Sequence, residues 1–200
     1  MPEASHERPA PRPAARLALA VVPAVTAAVA VGSALRTNAW TAWGVWPMES
    51  KIDSGTSFAD LANITATAQC ISRGWDYTTC DPYGRLFQPY VVLPARVLSA
   101  LGVDMSATPA LGLALACCYV VGVAVLGIAV ARHWRGSVAG LGAAAVVLAL
   151  ASVAPPAMLA VERGQVELLT FALVCIGLVL LPARRGWLRV VGAVAAVAAV

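Results

Sequence analysis

An all-helical fold that crosses a membrane several times is the class this sequence predicts, and three observations carry that reading. Of the 200 residues, 60% are hydrophobic and 12% are charged, against about 25% charged in an ordinary soluble domain. Charge-free apolar runs occupy 17–35, 105–131 and 137–161, and a helix needs about 20 such residues to cross a bilayer. The arginines cluster at the ends of these runs, so the net charge of +4 is read as topological and no nucleic-acid partner is expected.

In chain order, "MPEASHERPAPRPAAR" (1–16) is rich in Pro and Ala and is expected to be a disordered cytoplasmic segment. A positive N-region before an apolar run also suits a cleavable leader. The run at 17–35 is longer than a leader's apolar region, and "VGSALRTNAW" is a weak cleavage pattern, so a retained first span is expected. A long loop, 36–104, follows. Trp40, Trp43 and Trp46 recur at one helical face and read as an interfacial belt. In "SFADLANITATAQCISRG", Leu61, Ile64, Ala68 and Ile71 have helical spacing, with Ser57 or Asp60 as N-cap. "YVVLPARVLSALG" is broken by Pro94 and Arg96 and too short to span; it is expected to lie on the membrane surface and lead into the second span. Spans at about 105–131, 137–161, 166–183 and 187–200 onward complete the reading. The last run is still apolar at Val200, so 17–200 is taken as the N-terminal part of a multi-span domain.

Sidedness follows from the positive-inside rule. Arg8, Arg12 and Arg16 precede the first run, Arg132 and Arg135 separate the second from the third, and Arg184, Arg185 and Arg189 follow the fourth. All agree with a cytoplasmic N-terminus in a cell membrane, and the Ala/Val/Arg-rich composition suits a bacterial plasma membrane. Residues 36–104 and the short connection "VERGQVE" (161–167) then lie outside, and they hold every acidic residue except Glu3 and Glu7. Charges beside membrane segments are costly and mark function, although any exposed loop also carries charge to stay solvated.

The outer segments limit the available chemistry. His6 and His133 both fall inside, so no Ser/His or Cys/His pair can form outside from these residues. An outer general base would be a carboxylate, which can deprotonate a sugar hydroxyl as it attacks an anomeric carbon; arginines can stabilise a departing phosphate. Cys70 and Cys80 share the outer loop with nine residues between them and could form a disulfide in an oxidising compartment. Cys117, Cys118 and Cys175 fall within spans as small packing residues. The cysteines show no metal-ligand spacing, and no cofactor or metal is expected. Asn63-Ile64-Thr65 has the form of a glycosylation sequon, which the bacterial composition makes a chance match.

"FADLANITATAQCISRGWDYTTCDPYGRLFQPYVVLP" resembles the first outer loop of polyprenol-phosphate-sugar-dependent glycosyltransferases of the GT-C superfamily, most of all the family 87 alpha-mannosyltransferase-like proteins. Asp60-Leu61, Gly74-Trp75-Asp76-Tyr77, Asp81-Pro82-Tyr83 and Phe87-Gln88-Pro89-Tyr90 fall in that family's order. "ERGQVELLTFAL" is similar to the segment that opens a later helix on the same face. The chain departs from the pattern at Gln88-Pro89-Tyr90 and at Ala62-Asn63-Ile64.

The resemblance implies a GT-C-like helix bundle and an inverting hexosyltransferase. It would move a mannose-like hexose or a pentose from a polyprenyl-phosphate-linked donor, entering from the lipid bilayer, to a glycan or glycolipid acceptor. Asp60 would be the catalytic base, with Asp76, Asp81, Tyr83, Arg85, Glu162, Arg163 and Gln165 binding substrate. A helix cap is the competing reading of Asp60. For the chain, a transporter or flippase broken at Pro155-Pro156 and a non-catalytic assembly subunit compete. A transporter would be expected to show internal repeats and mid-bilayer charges, and the sequence has neither.

Overall fold

The computed structural model describes residues 13–37, 58–75, 89–134, 137–182 and 185–198, all helix and connecting turn. In order these are α1 (Pro13–Thr37), α2 (Ala59–Ser72), α3 (Pro89–Ala100), a 3-10 turn (Met105–Ala107), α4 (Thr108–His133), α5 (Val138–Ser152), α6 (Pro155–Arg163), α7 (Glu167–Leu180) and α8 (Gly186–Ala198). The expected Trp40, Trp43 and Trp46 belt lies outside the described residues.

Two helical stretches, Pro13–Ser33 and Met105–His133, are long and apolar enough to cross a bilayer. Only 28% and 33% of their most apolar windows are buried, whereas a soluble core helix would be mostly covered. Most of the large side chains left on the outside of α1 are apolar, with Leu17, Val21, Val25 and Val29 all exposed. α5, α7 and α8 are apolar but shorter, at 15, 14 and 13 residues.

Several boundaries differ from the sequence reading. α1 begins at Pro13, inside the segment expected to be disordered; proline at a first helical position loses no hydrogen bond and has its φ preset. The run expected as one span at 137–161 is two helices, because Pro155 and Pro156 lack N–H donors and Pro155 disfavours helix at Ala154. The second span divides into the 3-10 turn and α4. Asp104 caps that turn, accepting from the Ser106 N–H at 2.9 Å and from its hydroxyl. These bonds, the hydroxyl's first, hold the Asp104 carboxyl below its usual range.

The helices group into two units. One contains 13–30, 120–154 and 170–198. Its best-buried cluster is Leu19, Ala131, Leu141 and Ala145. Small residues let its helices approach: a Cβ on Gly127 would lie 2.8 Å from the Ala20 Cα, and one on Gly122 would lie 2.7 Å from the Phe171 ring.

The other unit contains 31–37, 58–75, 89–119 and 155–169. Within it α2 packs on α3, on the 3-10 turn and on α6. Ile64 and Ala68 of α2 meet Ala95 of α3. Fully buried Thr65 shares a 2.6 Å hydroxyl–hydroxyl bond with Thr108 at the start of α4. The remaining proton is satisfied locally, since Thr65 also lies 3.2 Å from the Leu61 carbonyl and Thr108 lies 2.8 Å from that of Met105. Neither hydroxyl of the pair is left unmatched, so the pair costs little to bury.

Candidate functional site

The start of α2 sets the site. The N-cap position is held by Phe58 in the left-handed region, φ 67° and ψ 44°, with no side-chain cap. For a residue with a Cβ this conformation costs about 1–2 kcal/mol, so packing must hold it. The Phe58 ring is 5% exposed. It fills the space left by Gly112 in α4, where an added Cβ would overlap it. Gly164 closes the other side: its missing Cβ would stand 3.0 Å from the Cβ atoms of both Phe58 and Leu61.

Gly164 also ends α6. It has φ +66°, and the bonds from Gly164 N to Val161 O (3.2 Å) and from Gln165 N to Ala160 O (3.0 Å) form a Schellman turn. Only glycine takes that φ without strain. The turn stops the helix just after Arg163 and brings Gln165 back toward α2.

These two backbone devices bring Asp60, Arg163 and Gln165 together. Arg163 Nε donates to Asp60 Oδ2 at 2.8 Å, and Arg163 Nη2 donates to Oδ1 at 2.6 Å. Gln165 Nε2 makes a longer bond to Oδ2, at 3.4 Å. The pair joins segments 103 positions apart and is neither sealed nor free in water, at 30% exposure for Arg163 and 29% for Asp60. Asp60 also lies in the first turn of α2, where the helix dipole favours a negative charge.

The competing reading of Asp60 as an N-cap is therefore corrected. Phe58 occupies that position, and the Asp60 carboxylate is turned to Arg163 and Gln165. The fork geometry, two near-parallel N–H···O bonds, is the strong form of a carboxylate–guanidinium pair.

Of the other expected site residues, Asp76, Asp81, Tyr83 and Arg85 lie outside the described residues, as does the side chain of Glu162. Cys70 is disulfide-bonded, while its expected partner Cys80 lies outside the described residues. Cys117, Cys118 and Cys175 are free thiols. Cys175 is buried as a packing residue should be, but Cys117 is exposed.

Sequence reasoning missed Phe58, Gly112 and Gly164. Gly164 had a usable signal, a glycine after a basic residue at the end of an apolar helix. Gly112, inside an apolar run, had none.

Asn63, one turn along α2 from Asp60, has a buried Oδ1 with no hydrogen-bond partner among the described residues. Chemically the cluster offers a carboxylate that can accept a proton, a guanidinium that can hold an anion and an amide that can orient either. No protein-family model, no curated protein and no solved structure matches the chain significantly.

Proposed function

We propose that the chain belongs to a multi-span membrane glycosyltransferase of GT-C kind. It moves a mannose-like hexose or a pentose from a polyprenyl-phosphate donor to an extracytoplasmic glycan or glycolipid acceptor, with inversion. The Asp60–Arg163–Gln165 cluster carries this reading, because it joins the two segments that bear the family resemblance through a base and a phosphate-binding cation. Asp60 takes the proton of the acceptor hydroxyl as that oxygen attacks the anomeric carbon. The bond from that carbon to the phosphate oxygen breaks, and the phosphate leaves with the electron pair, its charge met by Arg163.

The exposed apolar faces of α1 and α4 support a lipid surrounding, from which a polyprenyl chain would present its phosphate. Asp60→Asn keeps the size of the side chain and removes the base. In the full-length protein, transfer from a polyprenyl-phosphate sugar is expected to fall by about two to four orders of magnitude, with expression and folding unchanged. Near-normal transfer would remove Asp60 from the chemistry and return the cluster to a structural ion pair.

One observation favours a second reading. The break from α5 through α6 and Gly164 to α7, with an ion pair beside it, also suits a transporter whose interrupted helix lines a substrate path. Solute or lipid movement across proteoliposomes without any glycosyl product would select it.

A further inference from the structure

We propose that the Asp60–Arg163 contact is exchangeable: a phosphate group takes the Arg163 fork in place of the carboxylate, and by doing so frees Asp60. The identity of the phosphate's carrier rests on the glycosyl-transfer reading; the exchange rests on the geometry. Both Asp60 oxygens already accept, Oδ1 from Nη2 and Oδ2 from Nε and Gln165. A hydroxyl that is to hand its proton to Asp60 must compete with those donors.

The Nε–Nη2 edge of Arg163 fits two oxygens of a phosphate as well as it fits a carboxylate. One anion then replaces another, and the guanidinium is never left without a counter-charge. The partial exposure of both partners, 30% and 29%, gives a ligand access and keeps some solvent screening in force, and a phosphate that takes the same fork replaces the strong bonds it breaks. Asp60 is the fixed member, on a short side chain in a helix start wedged by Phe58 against Gly112 and Gly164. Arg163, on a long side chain in the last turn of α6, is the member that moves.

Exchange imposes an order. The phosphate binds first, and only then is Asp60 open to the acceptor hydroxyl, so the base is exposed only when a donor is in place.

The test uses the full-length protein in phosphatidylcholine nanodiscs, titrated calorimetrically with inorganic phosphate and, separately, with farnesyl phosphate. Asp60→Asn has no carboxylate to displace and should bind about two- to fivefold tighter, the worth of a part-exposed pair. Arg163→Gln should bind at least about tenfold weaker, having lost the charged fork. In the Arg163→Gln background, Asp60→Asn should change nothing.

An equal gain from Asp60→Asn in both backgrounds would mean simple charge repulsion, and an unchanged affinity would mean a structural pair; either overturns the exchange. If Asp60→Asn does not fold, Asp60→Ser carries the same comparison. Binding of farnesyl phosphate alone assigns the exchange to a lipid-borne phosphate, and equal binding of both probes assigns it to the phosphate group itself. Failure of the glycosyl-transfer reading would show separately, as full transfer by Asp60→Asn whatever the phosphate affinities.

Discussion

Phe58 is the residue on which the site's geometry turns, although it carries no chemistry. Its left-handed backbone is held by the seat that Gly112 and Gly164 leave for the ring, and two positions later the same chain presents Asp60. Gly112→Ala puts a methyl group where the ring lies. It is expected to destabilise the protein by about 1–3 kcal/mol, the usual cost of overpacking, and to weaken the Asp60–Arg163 contact as the helix start shifts. Thermal unfolding in detergent would measure the first effect; recovery of stability by Phe58→Leu in the same background would assign it to the ring. Equal stability of Gly112→Ala and the parent would show that the seat is looser than the packing implies. Asp60 stood out as a candidate because it falls at the Asp-Leu of the stretch that carries the family resemblance, whereas Phe58 did not stand out. Nothing in "SFAD" distinguishes an ordinary buried aromatic from one forced into a strained conformation by two distant glycines.

α2 is the element that gathers the second unit. It is only 14 residues long, below the length at which an isolated helix is stable in water, so its packing on α3, the 3-10 turn and α6 must hold it. The Thr65–Thr108 bond fixes its height against α4. Thr65→Val and Thr108→Val should each cost about 1 kcal/mol, because the hydroxyl that remains can still use a carbonyl of its own segment. The double substitution should cost less than the sum of the two. Strict additivity in a denaturant-unfolding cycle would show that the hydroxyls do not act together. Helical spacing made α2 legible, but its partners were not, since Thr65 reads as a helix residue like its neighbours. The division of 137–163 into α5 and α6 was signalled by Pro155-Pro156, and the apolar composition that argued for one span hid it.

Two helices meet the length and hydropathy of a bilayer span, and the arrangement of arginines predicts their sides. With the N-terminus inside and 36–104 outside, a cysteine placed at Gly55 should react with a membrane-impermeant thiol reagent on intact cells. One placed at His133 should react only after permeabilisation. Labelling at 133 but not at 55 would invert the predicted topology and put the Asp60–Arg163 cluster on the side opposite to the proposed donor. The apolar faces left open on α1 and α4 belong to the same expectation, because a lipid surrounding makes such exposure free of a solvation cost.

Composition and the spacing of charges were enough to establish helices, their approximate limits and the apolar character of the chain. These depend on local preference and on transfer from water, which act residue by residue. The same sequence named Asp60, Arg163 and Gln165 as site candidates, through the family resemblance, and its predicted topology put them at one cavity. Only the packed structure decided that they touch, that Phe58 rather than Asp60 holds the N-cap position of α2, and that Gly112 and Gly164 make the room. Contacts between positions 103 apart depend on how helix faces fit together, and no local pattern encodes that fit.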